Sequence, residues 1–203
     1  MRTAIRLITI LLLLVALAII QAKAQQTGSV SQTQTYPSNQ GNQSTYSSNE
    51  LIDSGHRFFG SVSKGLARII ERAVSEWGVP NGYVLGEEGG GAFIAGLRYG
   101  EGVLYTKNAG DLKVYWQGPS LGFDVGGEGA RTMMLVYNLP ATTAIYDRFG
   151  GIDGSAYFIG GFGMTALTSN RIVLVPIRSG LGFRLGANVG YLKFTPQSTW
   201  NPL

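Results

Sequence analysis

Ser120 stands in Gly118-Pro119-Ser120-Leu121-Gly122, a match to G-x-S-x-G. In that motif a serine raised on a strained strand-to-helix turn attacks an acyl carbon, with its histidine later in the chain. Here the only histidine, His56, comes earlier, and Ser120 is followed by Leu121-Gly122-Phe123-Asp124-Val125, which reads as a strand. Without a general base a serine hydroxyl remains a poor nucleophile, so "WQGPSLG" reads as a turn between two strands. Ser61-Val62-Ser63-Lys64 matches S-x-x-K, but the K-T-G that completes the penicillin-binding constellation is absent. Gly122-Phe123-Asp124-Val125-Gly126-Gly127 has the glycine spacing of a phosphate loop, yet Glu128 and Gly129 stand where Lys and Ser/Thr belong. Metal chemistry lacks material too: no cysteine, one histidine, and carboxylates scattered apart from Glu87-Glu88. The chain reads as a non-enzyme with no cofactor, no metal and no nucleotide.

The elements that carry these residues are of two kinds. Glu50 to Trp77 predicts one amphipathic helix, with Ser48 or Asn49 as N-cap and Gly78-Val79-Pro80 as the stop. Leu51, Phe58, Phe59, Val62, Leu66, Ile69, Ile70, Ala73 and Trp77 share one arc. Arg57, Lys64, Arg68 and Arg72 gather on another, either a solvated flank or a face for anionic lipid headgroups, diluted by Glu71 and Glu76. His56 falls at the arc's edge, where a structural role is the usual one. After Pro80 the pattern becomes a series of short Val-, Ile-, Tyr- and Phe-rich runs broken by glycine, with Asn108-Ala109-Gly110-Asp111 as a hairpin turn. One helical insertion is expected over Ala141 to Phe149, between Pro140 and Gly150-Gly151.

The chain holds 30 glycines, and many fall inside strand runs rather than between them. Glycine weakens a strand, so its repeated use points to a sheet that must bend sharply or let something approach. The expected fold is mainly β with α: a small antiparallel β-barrel of about eight strands, with an N-terminal amphipathic helix and one short inserted helix.

The N-terminus reads as an export signal. Arg2 and Arg6 precede an apolar run from Leu7 to Ile20, and Ala22-Lys23-Ala24 gives an A-x-A site with cleavage after Ala24. A membrane anchor needs about 20 apolar residues, and this run is shorter. Residues 1–24 are therefore expected to be removed, 25–49 to form a polar, disordered leader, and 50–203 to form one domain. The whole chain carries 16 Lys+Arg and 12 Asp+Glu. Arg2, Arg6 and Lys23 leave with the signal, so 13 bases remain against 12 acids. That near-balance gives no support for a nucleic-acid partner.

From Glu50 to Leu203 the chain resembles the envelope integrity protein A family of exported Gram-negative proteins, most specifically in "KVYWQGPSLG", "ARTMMLVYNLP" and "GYLKFTP". "WQGPS" before glycine-spaced strands is also similar to the SYLF-type domain, which binds membrane lipids, over a shorter stretch. The family resemblance implies a soluble periplasmic eight-stranded barrel that keeps the envelope intact, and it brings no catalytic residues. The expected activity is binding of a lipid, glycolipid or other envelope amphiphile. Trp116, Phe123, Met133, Met134, Tyr137 and Phe162 are candidates to line the site or to be plain core, and Arg131 or Arg184 to meet an anionic headgroup. The alternatives are a protein that tethers envelope proteins or other components without a small ligand, and an integral outer-membrane barrel.

Overall fold

The structure is a computed structural model that describes residues 44–61, 63–89, 97–119, 130–179 and 190–199. The calls on residues 1–43 lie outside the described residues.

Among the described residues two helices precede the sheet where the apolar phase predicts one: α1, Ser48–Phe59, and α2, Lys64–Trp77. The break has a local cause. Gly60 takes a left-handed conformation with φ 74° and its N–H donates to the His56 carbonyl, closing α1. Ser63 then caps α2 by accepting from the Leu66 N–H. His56 Nε2 lies 3.2 Å from the Ser63 carbonyl and ties the two helices across the break, the structural role expected of it. The N-cap of α1 is Ser47 rather than Ser48 or Asn49. It forms a capping box with Glu50. The domain therefore starts before Glu50: the Tyr46 N–H donates to the Pro80 carbonyl, and its ring meets Tyr83 edge-on.

Ten strands follow among the described residues: β1 Gly82–Gly89, β2 Leu97–Thr106, β3 Gly110–Pro119, β4 Ala130–Tyr137, β5 Arg148–Gly151, β6 Tyr157–Ile159, β7 Phe162–Met164, β8 Leu167–Ser169, β9 Ile172–Ser179 and β10 Tyr191–Thr195. The insertion expected over Ala141 to Phe149 is only a 3₁₀ turn, Thr142–Ile145, and Arg148 and Phe149 already belong to β5. Eight strands close a ring in the order β4-β1-β2-β3-β10-β5-β8-β9 and back to β4, every pairing antiparallel. The expected barrel is present, with β7 and β6 continuing from β9 as a flap.

The flap leaves the ring opposite Pro176. Within β9, Leu174 pairs with β8 and Ile177 with β7, so Pro176 faces the gap between those two strands. Proline has no N–H to give a ladder, and the partner strand is interrupted there, at Thr165-Ala166. Ala166 is bonded on the side of β5: its N–H donates to Ser155 Oγ at 3.1 Å, and its carbonyl accepts from the Ile152 N–H at 3.0 Å.

Strand alternation sorts the side chains into two cores. Val84, Leu104, Val114, Trp116, Met134, Val136, Phe149, Leu174, Leu192 and Phe194 fill the lumen. Met133, Leu135, Tyr137, Val175 and Ile177 face outward from β4 and β9 and pack against Leu51, Leu66, Ile69, Ile70 and Ala73 of the helices. That explains why both strands are apolar on both faces. Among the described residues no helix is long and apolar enough to cross a membrane.

The helices sit on the barrel through a close backbone approach. A Cβ built on Gly65 of α2 would stand 2.1 Å from the carbonyl oxygen of Gly160, in the β6–β7 turn. Gly65→Ala must push α2 off that turn, and we expect a loss of about 1–3 kcal/mol, the range for overpacking. Urea denaturation measures it. An unchanged midpoint would show that the contact is slack.

Candidate binding site at the polar end of the barrel

The two ends of the lumen differ chemically. One is sealed by apolar groups, Leu139 and Ile145 above Phe149 and Ile172. Asn81 fixes this plug, its Nδ2 donating to the Leu139 carbonyl at 2.8 Å and its Oδ1 accepting from the Leu139 N–H at 3.1 Å. The other end is polar. Glu88 comes late in β1, in phase with the lumenal Val84 and Gly86, and pairs with Gly100 and Ala130. Arg178, near the end of β9, pairs with Thr132. Arg98 lies near the start of β2, opposite Gly118.

These groups form one electrostatic cluster. Arg178 grips Glu88 with both arms of its fork, Nε to Oε2 at 2.7 Å and Nη2 to Oε1 at 2.8 Å, and both residues are buried. The Trp116 indole N–H donates to Oε1 at 2.8 Å. Burial alone raises the Glu88 carboxyl. Arg178, the nearby Arg98 charge and the indole outweigh it and hold the group at about 2. Arg98 is pulled down to about 10, first by burial and then by the Arg178 charge, against the opposing pull of Glu88. Among the described residues its Nε is buried with no partner, and the hydroxyl of fully buried Thr132 also lacks one.

The glycines of β1 and β2 make room for the indole. A Cβ on Gly100 would lie 2.2 Å from Trp116 Cε2, and one on Gly86 would lie 2.6 Å from Cη2. At these positions the strand glycines admit a large side chain into the lumen.

A carboxylate held this low and already accepting three hydrogen bonds is a poor general acid or base. What the cluster offers instead is positive charge. Among the described residues, two guanidinium groups share this end with one carboxylate.

The low carboxyl gives a signed pH dependence. A depressed folded-state value contributes stability that is full above the ordinary 4.5 and is lost as pH falls toward about 2. Glu50, also near 2 through Lys107 and Ser47, contributes in the same window. The difference between wild type and Glu88→Gln isolates Glu88, and by urea denaturation it should shrink between pH 4.5 and pH 2. A constant difference would contradict the assignment.

The residues predicted from sequence are not brought together. Trp116 is in the cluster. Tyr137 lies under the helices, its buried, unpartnered hydroxyl pushed far up by burial. Met133 and Phe162 pack there too, whereas Met134 faces the lumen. Arg131 sits on the outer wall, where Nη1 donates to the Phe58 carbonyl at 3.0 Å and clamps the end of α1. Phe123, Arg184 and Ser120 lie outside the described residues. Arg57, Lys64, Arg68 and Arg72 are all exposed, but the break at Gly60 divides them between two helices. Arg72 is engaged with Glu76 at 2.9 Å and with the Tyr157 hydroxyl at 2.8 Å. In the S-x-x-K match, Ser63 is a helix cap and Lys64 opens the helix.

Glu88, Arg98, Thr132 and Arg178 were missed. Alternation was the available signal, since Glu88 shares a phase with Val84, and Arg178 with Ile172 and Leu174.

The family described as envelope integrity protein A matches residues 44–203. A crystal structure of a β-barrel-like, uncharacterized protein from Brucella abortus is 60% identical, with a TM-score of 0.74, covering 79% of this chain and 99% of that one. No curated protein matches the chain.

Proposed function

The chain belongs to the envelope integrity protein A family, and on that footing we propose that it is an exported, periplasmic, non-enzymatic protein that supports the cell envelope by binding a lipid, glycolipid or other amphiphile. The observation that carries the reading is the divided lumen, apolar through most of its length and positively charged at one end. A polar head can be held there by guanidinium groups, and a site of this kind needs few polar groups placed on rigid strands. The wall has the character of a barrel surrounded by water: its interior is apolar, while the outer faces of β2 and β3 carry Glu101 and Lys113, paired at 3.4 Å. An outer-membrane barrel carries its apolar belt outside.

A second reading concerns α2. Lys64 and Arg68, exposed and one turn apart, flank the Gly65–Gly160 contact beside the β6–β7 turn and offer a face for anionic headgroups.

The test is native mass spectrometry of the protein recovered from its own periplasm, followed by organic extraction. A stoichiometric amphiphile mass supports a binding module. A barrel that is empty and stays empty with envelope lipid extracts would refute it and favour an envelope protein as partner.

A further inference from the structure

We propose that the polar end of the lumen is a binding site for one monoanionic oxyanion, a carboxylate or phosphodiester, with Arg98 as its charge partner. The inference rests on the reading of the barrel as a binding module and names the chemistry of the head that it takes.

A charge withdrawn from water is stable when it is paired and hydrogen-bonded. Arg178 and Glu88 satisfy that rule together, in a two-armed bridge with Trp116 as third partner. Arg98 is left over. Its Nε–H is buried with no partner among the described residues, and Arg178 repels it more than Glu88 attracts it. Glu88 draws Arg98 by charge, but its hydrogen bonds go to Arg178 and Trp116.

The unmet group of Arg98 among the described residues is thus an N–H of a cation, which suits an acceptor-only oxyanion. The excess at this end, among the described residues, is one positive charge, so a monoanion balances it where a dianion would overshoot. A metal cation or an amine would meet repulsion instead. The oxyanion belongs either to an amphiphile's head or to a free ion.

Thermal unfolding in low-chloride buffer tests the site, with inorganic phosphate or acetate in one arm and phosphatidylglycerol vesicles in the other. At about a hundred times the Kd, the wild-type Tm should rise by about 5–10 °C. Arg98→Gln should melt no lower than wild type without ligand, because it removes a repelling neighbour of Arg178, and should lose the shift. A shift retained in Arg98→Gln, a large drop in its ligand-free Tm, or no wild-type shift in either arm would overturn the proposal. A shift with phosphate or acetate alone supports the oxyanion site and removes the amphiphile. An extracted lipid whose binding survives Arg98→Gln leaves the binding module standing and overturns the oxyanion site.

Discussion

Glu88→Ala should lower the stability of the domain by about 3–5 kcal/mol, the cost of removing one partner from a buried ion pair. The carboxylate is the only described acid at its end of the lumen, and the Arg178 fork and the Trp116 indole all point at it. Without it, the buried Arg178 guanidinium keeps only the like charge of half-buried Arg98 nearby, and the indole N–H loses its acceptor. For a domain of this size the Tm should fall by about 10 °C or more. Two companion variants separate charge from packing. Adding Arg98→Gln to Glu88→Ala should recover part of the loss, because it removes the like charge that Glu88 offset. Replacing Glu88 and Arg178 together by methionine should cost less than Glu88→Ala alone, since an apolar pair leaves no orphaned charge. A loss under 1 kcal/mol for Glu88→Ala, read by urea denaturation, would mean that water reaches the pair freely.

Trp116→Ala should be of comparable size, about 3–5 kcal/mol, the range for removing a large buried aromatic. The indole is almost wholly buried, packs 5.7 Å from the Phe194 ring, and lies over Gly86 and Gly100 where no side chain can take its place. Its removal leaves a cavity floored by glycine, which the stiff barrel wall is slow to collapse. Gly100→Ala approaches the same contact from the other side: in wild type its methyl collides with the ring and should cost about 1–3 kcal/mol. In Trp116→Ala the same methyl enters the empty space and should cost much less. The double-mutant cycle should therefore be strongly non-additive. Additive losses would show that the ring does not rest on Gly100.

The barrel was legible because its signal is repeated. Short apolar runs punctuated by glycine recur from Gly82 to Thr195, and β1 to β4, β9 and β10 fall on them, whereas β5 begins inside the stretch that reads as a helical insertion. The break between α1 and α2 was not, because Phe59, Leu66 and Ile70 keep helical phase across it, and the left-handed Gly60 is a conformational event that periodicity does not register. Nor does the sequence say that β7 and β8 part opposite Pro176, since the interruption falls on a neighbouring strand.

The site was the least legible part. Trp116 stands out by type, but Glu88 gains its meaning from Arg178, a partner 90 residues away brought close only by the β1–β4–β9 pairing. Glu87 illustrates the ambiguity. It is adjacent to Glu88 and alike in chemistry, yet it faces outward toward Arg131 at 3.9 Å, and because Leu85 and Val84 are both apolar the local pattern does not say which acid turns in. Arg131 reads from sequence as a candidate for an anionic headgroup, and alternation places it on the outer wall.

The central claim is that the polar end of the lumen carries the envelope role. It is tested most directly by complementation: survival on detergent of a strain lacking the chromosomal copy, supplied with wild type, Arg98→Gln or, as a control on the outer wall, Lys113→Gln. The account predicts that wild type and Lys113→Gln restore survival, while Arg98→Gln, exported and folded to the same level, does not. Full restoration by Arg98→Gln would contradict it.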